Sequence, residues 1–540
     1  MRSIERSLGL IVAYLSLLIA GSVAADTAAE ADVLDIGDRL ELLVDDYLID
    51  RTDGTHFELH KPVAREVVIV HDAPWEGNTS GGHIIIKGDG KYRMWYRGSH
   101  YNPKAKKAGP EVQVEGDHQF LCYAESTDGI HWTKPTMGMV EFKGSKDNNV
   151  IWSVEMTKRP AGLRPCHLPW HIFNDTNPSV PDSERYKAIG GAPRAGMYVF
   201  VSPDGIHWQQ IGEGPILRES FFIDYTLSAF WDPNLGKYAA YLRDWWPGGI
   251  GGDATGSVRA VRYSTSDDFR HWAHPERKVS FSEELTRSEQ LYTTCVRPYY
   301  RAPHLYLGFP TRYTHARSDN CTNDGLFMSS RDGLHFKLWR KAIIRPGLQE
   351  ERWVTRNNFN RLGLVETESV IPGLPDELSI YSPEGYYGGP DGLGNRCRLR
   401  RYTYRMDGFV SVQAPPEGGE FVTKPLVFEG NQLVLNFSTS GAGHIRVEFQ
   451  DVDGQPIEGF ALADSPTVYG DNIAYVMRWH KRGGKKGQYT SDVSRLAGRP
   501  VRLKFAMKEA DLFSIRFRNE SPKQQRYTGF AIPGSKVVPK

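Results

Sequence analysis

A seven-residue phrase recurs along the chain: Ser126-Thr-Asp128-Gly129-Ile-His-Trp132 returns as Ser202-Pro-Asp204-Gly205-Ile-His-Trp208. Ser266-Asp-Asp268-Phe-Arg-His-Trp272 repeats it without the glycine, Ser330-Arg-Asp332-Gly333-Leu-His-Phe336 restores it, and Arg405-Met-Asp407-Gly408-Phe409 is a degenerate fifth copy. The Asp-to-Asp spacings of 76, 64, 64 and 75 residues mark a chain assembled from like units. Each copy follows a short β-rich run, such as Phe120 to Ala124 or Met197 to Val201, and a further run precedes each of these. The unit is therefore strand, strand, Asp-Gly turn, strand, with room for one more. Ser and Asp side chains bond the turn's own backbone, glycine takes the positive φ, and the aromatic packs the turn onto its neighbour. The repeated aspartates are thus expected to be structural. Four-stranded sheets repeated radially make a β-propeller, so the expectation is an all-β chain with a five-bladed β-propeller over residues 40–415.

After Pro415-Pro416 the turn no longer recurs, and runs such as Gln432 to Ser438 and Val501 to Met507 predict a C-terminal β-sandwich over 416–518, with a loose tail at 519–540. At the other end, Arg2 and Arg6, an apolar run from Leu8 to Ala20 and the small residues Val23 and Ala25 have the anatomy of a signal peptide, residues 1–25. A lead-in of 26–39 follows, and the mature protein is expected to be exported, periplasmic or extracellular, with no membrane span. Without Arg2, Glu5 and Arg6, the 66 basic and 65 acidic side chains come into balance. That argues against a nucleic-acid partner. The 54 glycines, 33 prolines and 12% aromatics suit many short strands and their turns. Five scattered cysteines show no metal-site spacing, and His83, His171, His304 and His315 show none either. No metal or cofactor is assigned, a structural cation on the propeller axis is left open, and oligomeric state is not readable.

The five-unit spacing, the S-x-D-G-x-x-W turns, Lys91-Tyr-Arg-Met-Trp-Tyr96 after Trp75-Glu76, and the appended sandwich together resemble the five-bladed glycoside hydrolases. The resemblance is to exported bacterial proteins related to family 32, and to the arabinofuranosidase-type and mannoside-phosphorylase-type families. It implies a carbohydrate substrate and a site in the central funnel. The family 32 phrase Trp-Met-Asn-Asp-Pro-Asn-Gly has no literal match, Ala73-Pro-Trp75-Glu76-Gly-Asn78 standing in the comparable place.

Glycoside hydrolysis needs two carboxyl groups across the scissile bond. Near the starts of the innermost strands the chain offers Glu76, Asp175, Asp224 and Glu289, with Trp75 and His171 beside the first two. Asp232, in Trp231-Asp-Pro-Asn, reads instead as a turn, and Asp45 and Asp46 as part of a strand closing the ring. Second strands end on Arg97, Arg243, Arg312 and Glu384. Three arginines at equivalent positions suit a carboxylate or sulfate, pointing to an acidic or sulfated sugar. Trp75, Trp245, Trp246, Tyr386 and Tyr387 are candidates for a sugar platform. The expected function is an exported glycoside hydrolase acting on a plant or algal poly- or oligosaccharide by a carboxylate acid/base mechanism. The alternatives are a non-catalytic carbohydrate-binding propeller, and a phosphorylase-like enzyme using Arg243, Arg312 and His315.

Overall fold

The computed structural model describes residues 33–100, 119–158, 169–192, 196–217, 228–246, 258–283, 289–314, 321–354, 357–386, 397–481, 483–485 and 487–519. The proposed signal peptide and all but the first residue of the tail lie outside them. The described chain is all-β apart from a few single 3-10 turns, and its sheets have a propeller-like arrangement.

Five sheets follow one another between residues 63 and 404. The first orders Gly81–Gly88, Lys91–Ser99, Gln119–Ser126 and Val150–Ser153, and the second Phe173–Asn174, Tyr186–Ala192, Gly196–Ser202 and Gln209–Gln210. The third holds Ser228–Asp232, Lys237–Trp246 and Val258–Ser266. The fourth is built on Val296–Tyr299, Ala302–Gly308, Thr322–Ser330 and His335–Ile344. In the fifth, Val365–Thr367, Glu377–Glu384 and Arg398–Tyr404 are completed by Val63–Val70, which pairs antiparallel with Arg398–Tyr404. The closing strand is therefore Val63–Val70, whose apolar Val68 and Ile69 are buried, and not the segment around Asp45 and Asp46. Asp45 instead sits in a bend and takes a two-pronged bond from Arg331.

The repeated turns behave as their composition dictates. In each of the first four copies the aspartate Oδ1 accepts backbone N–H groups two and three residues ahead, as Asp128 does from Ile130 and His131 at 2.8 Å. Its other oxygen meets the imidazole of the histidine three residues on, at 2.6–2.7 Å. The glycine carbonyl then receives a donor from the preceding sheet: Trp95 Nε1 donates to Gly205 O at 2.6 Å, Tyr241 Oη to Gly333 O at 2.7 Å, and Tyr381 Oη to Gly129 O at 2.8 Å. The last of these runs from the fifth sheet back to the first. A Cβ on Gly205 would stand 2.6 Å from the Trp95 ring, so glycine is obligatory where an aromatic reaches over the turn. In the third sheet the turn carries Phe269 instead, at φ +66°. There the neighbouring second strand offers Ile189, and Phe269 fills the vacated space in the same apolar cluster.

Residues 34–59 do not join the five sheets. Leu40–Leu42 pairs with Arg502–Arg518, Ile49–Asp53 with Gly419–Thr423, His56–Leu59 with Val410–Ala414, and Leu34–Gly37 runs parallel to Leu426–Phe428. Three of these early strands extend a C-terminal sheet whose spine is the long pair Gln432–Gln450 and Arg502–Arg518, with Ile49–Asp53 and His56–Leu59 as outer strands. Its core is a cluster rich in Phe, including Phe421, Phe428, Phe449, Phe505 and Phe517. Among the described residues no helix is long and apolar enough to cross a membrane.

Candidate functional site

Segments at or before the first, second, fourth and fifth sheets meet in a narrow throat. It is lined by His83 of the first sheet, Trp170 and His171 before the second, Thr293 and Cys295 before the fourth, and Arg361 before the fifth. Its free volume is about 20 Å³, the space of a single water molecule. Behind it, Arg97 Nη2 donates to Tyr386 Oη at 2.6 Å and to Thr79 O at 3.0 Å. Gly81 lies between Arg361, Tyr386 and Arg97, since a Cβ there would stand 3.4 to 4.0 Å from all three. No carboxylate lines the throat among the described residues.

One buried carboxylate nevertheless acts on it. Glu76 lies in the connection from Val63–Val70 to Gly81–Gly88, held there by Gly77, whose φ of +66° and 2.2 Å approach of Ser99 O to a would-be Cβ exclude other residues. The carboxylate is completely buried. Oε1 accepts from Tyr96 Oη at 2.6 Å and meets His71 Nδ1 at 3.1 Å, while Oε2 accepts from Lys134 Nζ at 2.8 Å and Ala73 N at 2.9 Å. Burial alone would raise its pKa, but the His71 hydrogen bond and the charges of His71 and Lys134 draw it down to about 2. An ionised carboxylate only accepts, so His71 Nδ1 carries a proton. His71 Nε2 then meets His83 Nε2 at 2.8 Å. One ring donates to the other across that contact, the direction following the tautomer. His83 Nδ1 is buried and has no hydrogen-bond partner, on a residue that lines the throat. Burial, then the charges of His71, Arg361 and Arg97, keep the His83 pKa well below its ordinary value, so the ring is uncharged.

The other sequence candidates have different surroundings. Asp175 follows Phe173–Asn174 and so stands at the trailing end of an innermost strand. Its Oδ2 meets Lys187 Nζ and accepts from Tyr238 Oη, each at 2.7 Å, and its Oδ1 accepts from Asn177 N at 2.9 Å. Asp232 repeats this: it accepts from Asn234 N at 3.0 Å and from Tyr306 Oη at 2.7 Å. Asp175-Thr-Asn177 and Asp232-Pro-Asn234 are the same turn, a likeness present in the sequence. Glu289 is engaged by Arg340 at 2.5 Å and lies 3.9 Å from Arg312. Arg312 itself grips Asp324 with two bonds. Arg243 donates to Tyr292 O and stacks on the Tyr292 ring. Glu384 is buried among Arg352, Arg398 and Arg400, which outweigh burial and lower its pKa. Trp75 is half-buried, donates to Asn149 Oδ1 at 2.7 Å and packs on Phe142. His171 stands in the throat with a φ of +50°, and Tyr386 is buried behind it. Asp224, Tyr387, His315 and the side chains of Trp245 and Trp246 lie outside the described residues. His71, Arg361 and the place of His83 in the relay escaped sequence reasoning.

No family model and no curated protein matches the chain. Among solved structures it is similar to BT0996 in its complex with RGII, with 13% identity over 65% of this chain and 93% of that one, and a TM-score of 0.44. It is also similar to a structure from the GH130 family of mannoside phosphorylases and glycoside hydrolases, with 14% identity, 68% and 96% covered and a TM-score of 0.40. A third is a family 43 arabinoxylan arabinofuranohydrolase from Bacillus subtilis in complex with cellotetraose, with 10% identity, 85% and 99% covered and a TM-score of 0.37. No residue role is carried over from these likenesses.

Proposed function

We propose that the protein is an exported glycoside hydrolase, a five-bladed ring with a C-terminal β-sandwich, acting on an acidic or sulfated poly- or oligosaccharide. The observation that carries this reading is the Glu76, His71, His83 relay, which ends in an unpaired nitrogen beside a space the size of one water. Such a relay, anchored on a carboxylate two groups away, suits passing a proton to or from a water in the throat. Arg97 and Arg361 near the throat favour an anionic sugar. Glu76 is held ionised, which suits orientation of His71 and not proton donation. Asp224 remains the proposed second carboxyl on sequence grounds alone. The test is release of reducing sugar from a panel of acidic, sulfated and neutral polysaccharides by wild type, His83→Gln, Glu76→Gln and Asp224→Asn. Loss of activity in the first two variants is expected, and equal activity in all four would sink the assignment.

A second reading, a carbohydrate-binding ring without catalysis, is favoured by the engagement of Asp175 with Lys187 and Glu289 with Arg340. Retention of the wild type on a polysaccharide affinity gel without any product would select it. The phosphorylase-like alternative loses support because Arg312 is committed to Asp324.

A further inference from the structure

Below the throat the axis widens. At the trailing ends of the innermost strands a cavity of about 640 Å³ opens, sharing Cys295, Arg361 and Leu362 with the throat above. This volume is ample for a small organic molecule. Its walls are mostly apolar and aromatic, with Phe230 and Trp231 from the third sheet, Phe309 from the fourth and Leu364 leading into the fifth.

Arg297 stands in this wall. One of its nitrogens, Nη2, donates to Ile172 O at 3.1 Å, and among the described residues no carboxylate lies within ion-pair distance of it. Dense surrounding protein draws its pKa down to about 10, which leaves the guanidinium charged at neutral pH. The single acid of the lining, Glu366, is already bonded by Tyr300 Oη. A guanidinium facing an apolar cavity without a counter-charge is costly, and its fork of N–H groups matches a carboxylate or sulfonate.

We infer that the trailing end of the axial channel is a second binding site, for a small organic monoanion whose acidic group sits on Arg297 and whose apolar body packs against Phe230, Trp231 and Phe309. The site adjoins the throat but owes nothing to the His83 relay. The probe is 8-anilinonaphthalene-1-sulfonate, an aromatic body carrying one anionic group, titrated into the whole protein with fluorescence readout. Saturable binding at one molecule per chain is expected, competed by benzoate. Arg297→Met is expected to weaken it at least tenfold while leaving binding of the uncharged analogue N-phenyl-1-naphthylamine unchanged. Leu364→Trp, which fills the cavity from a different wall, abolishes both, and His83→Gln changes neither. Absence of saturable binding to the wild type, or equal sulfonate affinity in wild type and Arg297→Met, overturns the inference. Should Arg297→Met fail to fold, undiminished binding in Leu364→Trp overturns it equally.

Discussion

The two ends of the innermost strands are built on opposite principles. At the trailing end the chemistry recurs: Asp-x-x-His turns in four sheets, Asp-x-Asn turns at Asp175 and Asp232, and an aromatic donor reaching over Gly129, Gly205 and Gly333. At the leading end the residues occur once each: a Glu76, His71, His83 relay, His171 in the throat, Arg361 beside Tyr386. Neighbouring sheets meet in much the same way around the ring, so the contacts between them repeat. A ligand on the axis meets all the sheets at once, from a different side in each case, so its contacts need not repeat. Repetition in this molecule marks packing, and singularity marks the candidate chemistry.

The strongest attempt to break that division is Asp175→Ala. It leaves Lys187 almost wholly buried with only Glu184, at 3.4 Å, as a carboxylate partner, and the expected loss in urea unfolding is about 3 to 4 kcal/mol. Lys187→Met in the same chain should recover most of it. A stable Asp175→Ala protein that no longer released sugar would place chemistry at the trailing end and undo the contrast.

Acid comes next in size. The folded protein holds the Glu76 pKa near 2, below the ordinary 4.5, so the ionised form is the one stabilised. Its contribution, about 3 kcal/mol at 1.36 kcal/mol per pKa unit, is complete above pH 4.5 and is lost as pH falls toward 2. Unfolding free energies of wild type and Glu76→Gln, compared from pH 6 down to 2.5, should converge in acid. A gap that stayed constant would mean the carboxylate charge is not what holds the relay.

Gly205→Ala should cost about 2 to 3 kcal/mol, from a positive φ and a clash with Trp95. The comparison sharpens if the third sheet's solution is transplanted: Trp95→Ile with Gly205→Phe should be more stable than Gly205→Phe alone, measured by urea midpoint. The smallest effect on stability belongs to the leading end. His83→Gln should shift unfolding by about 1 kcal/mol or less while reducing sugar release roughly a hundredfold or more.

The trailing end was legible because turn chemistry is local. Ser, Asp, Gly and an aromatic within seven residues state their own geometry, and the match of Asp175-Thr-Asn177 to Asp232-Pro-Asn234 was available to remove Asp175 from the acids. The closing strand was harder, since Val63–Val70 finds its partner only at Arg398–Tyr404. The relay was harder still. Glu76 and His71 are five residues apart and His83 twelve from His71, spacings that match no motif. Only the fold of the 71–80 connection against the first sheet stacks the two rings, with centroids 5.0 Å apart.

The closing strand also sets a schedule. Arg400 reaches back to Arg65 across 335 residues of chain, so Val63–Val70 emerges long before anything exists to pair with it. Until then its apolar stretch, Val67-Val-Ile-Val70, stands open as an edge that any β-prone segment can join. This pairing can form only after residue 398 has been made, and contacts this distant in sequence form slowly. Val63–Val70 has no native partner in its sheet until the final third of the chain is being made.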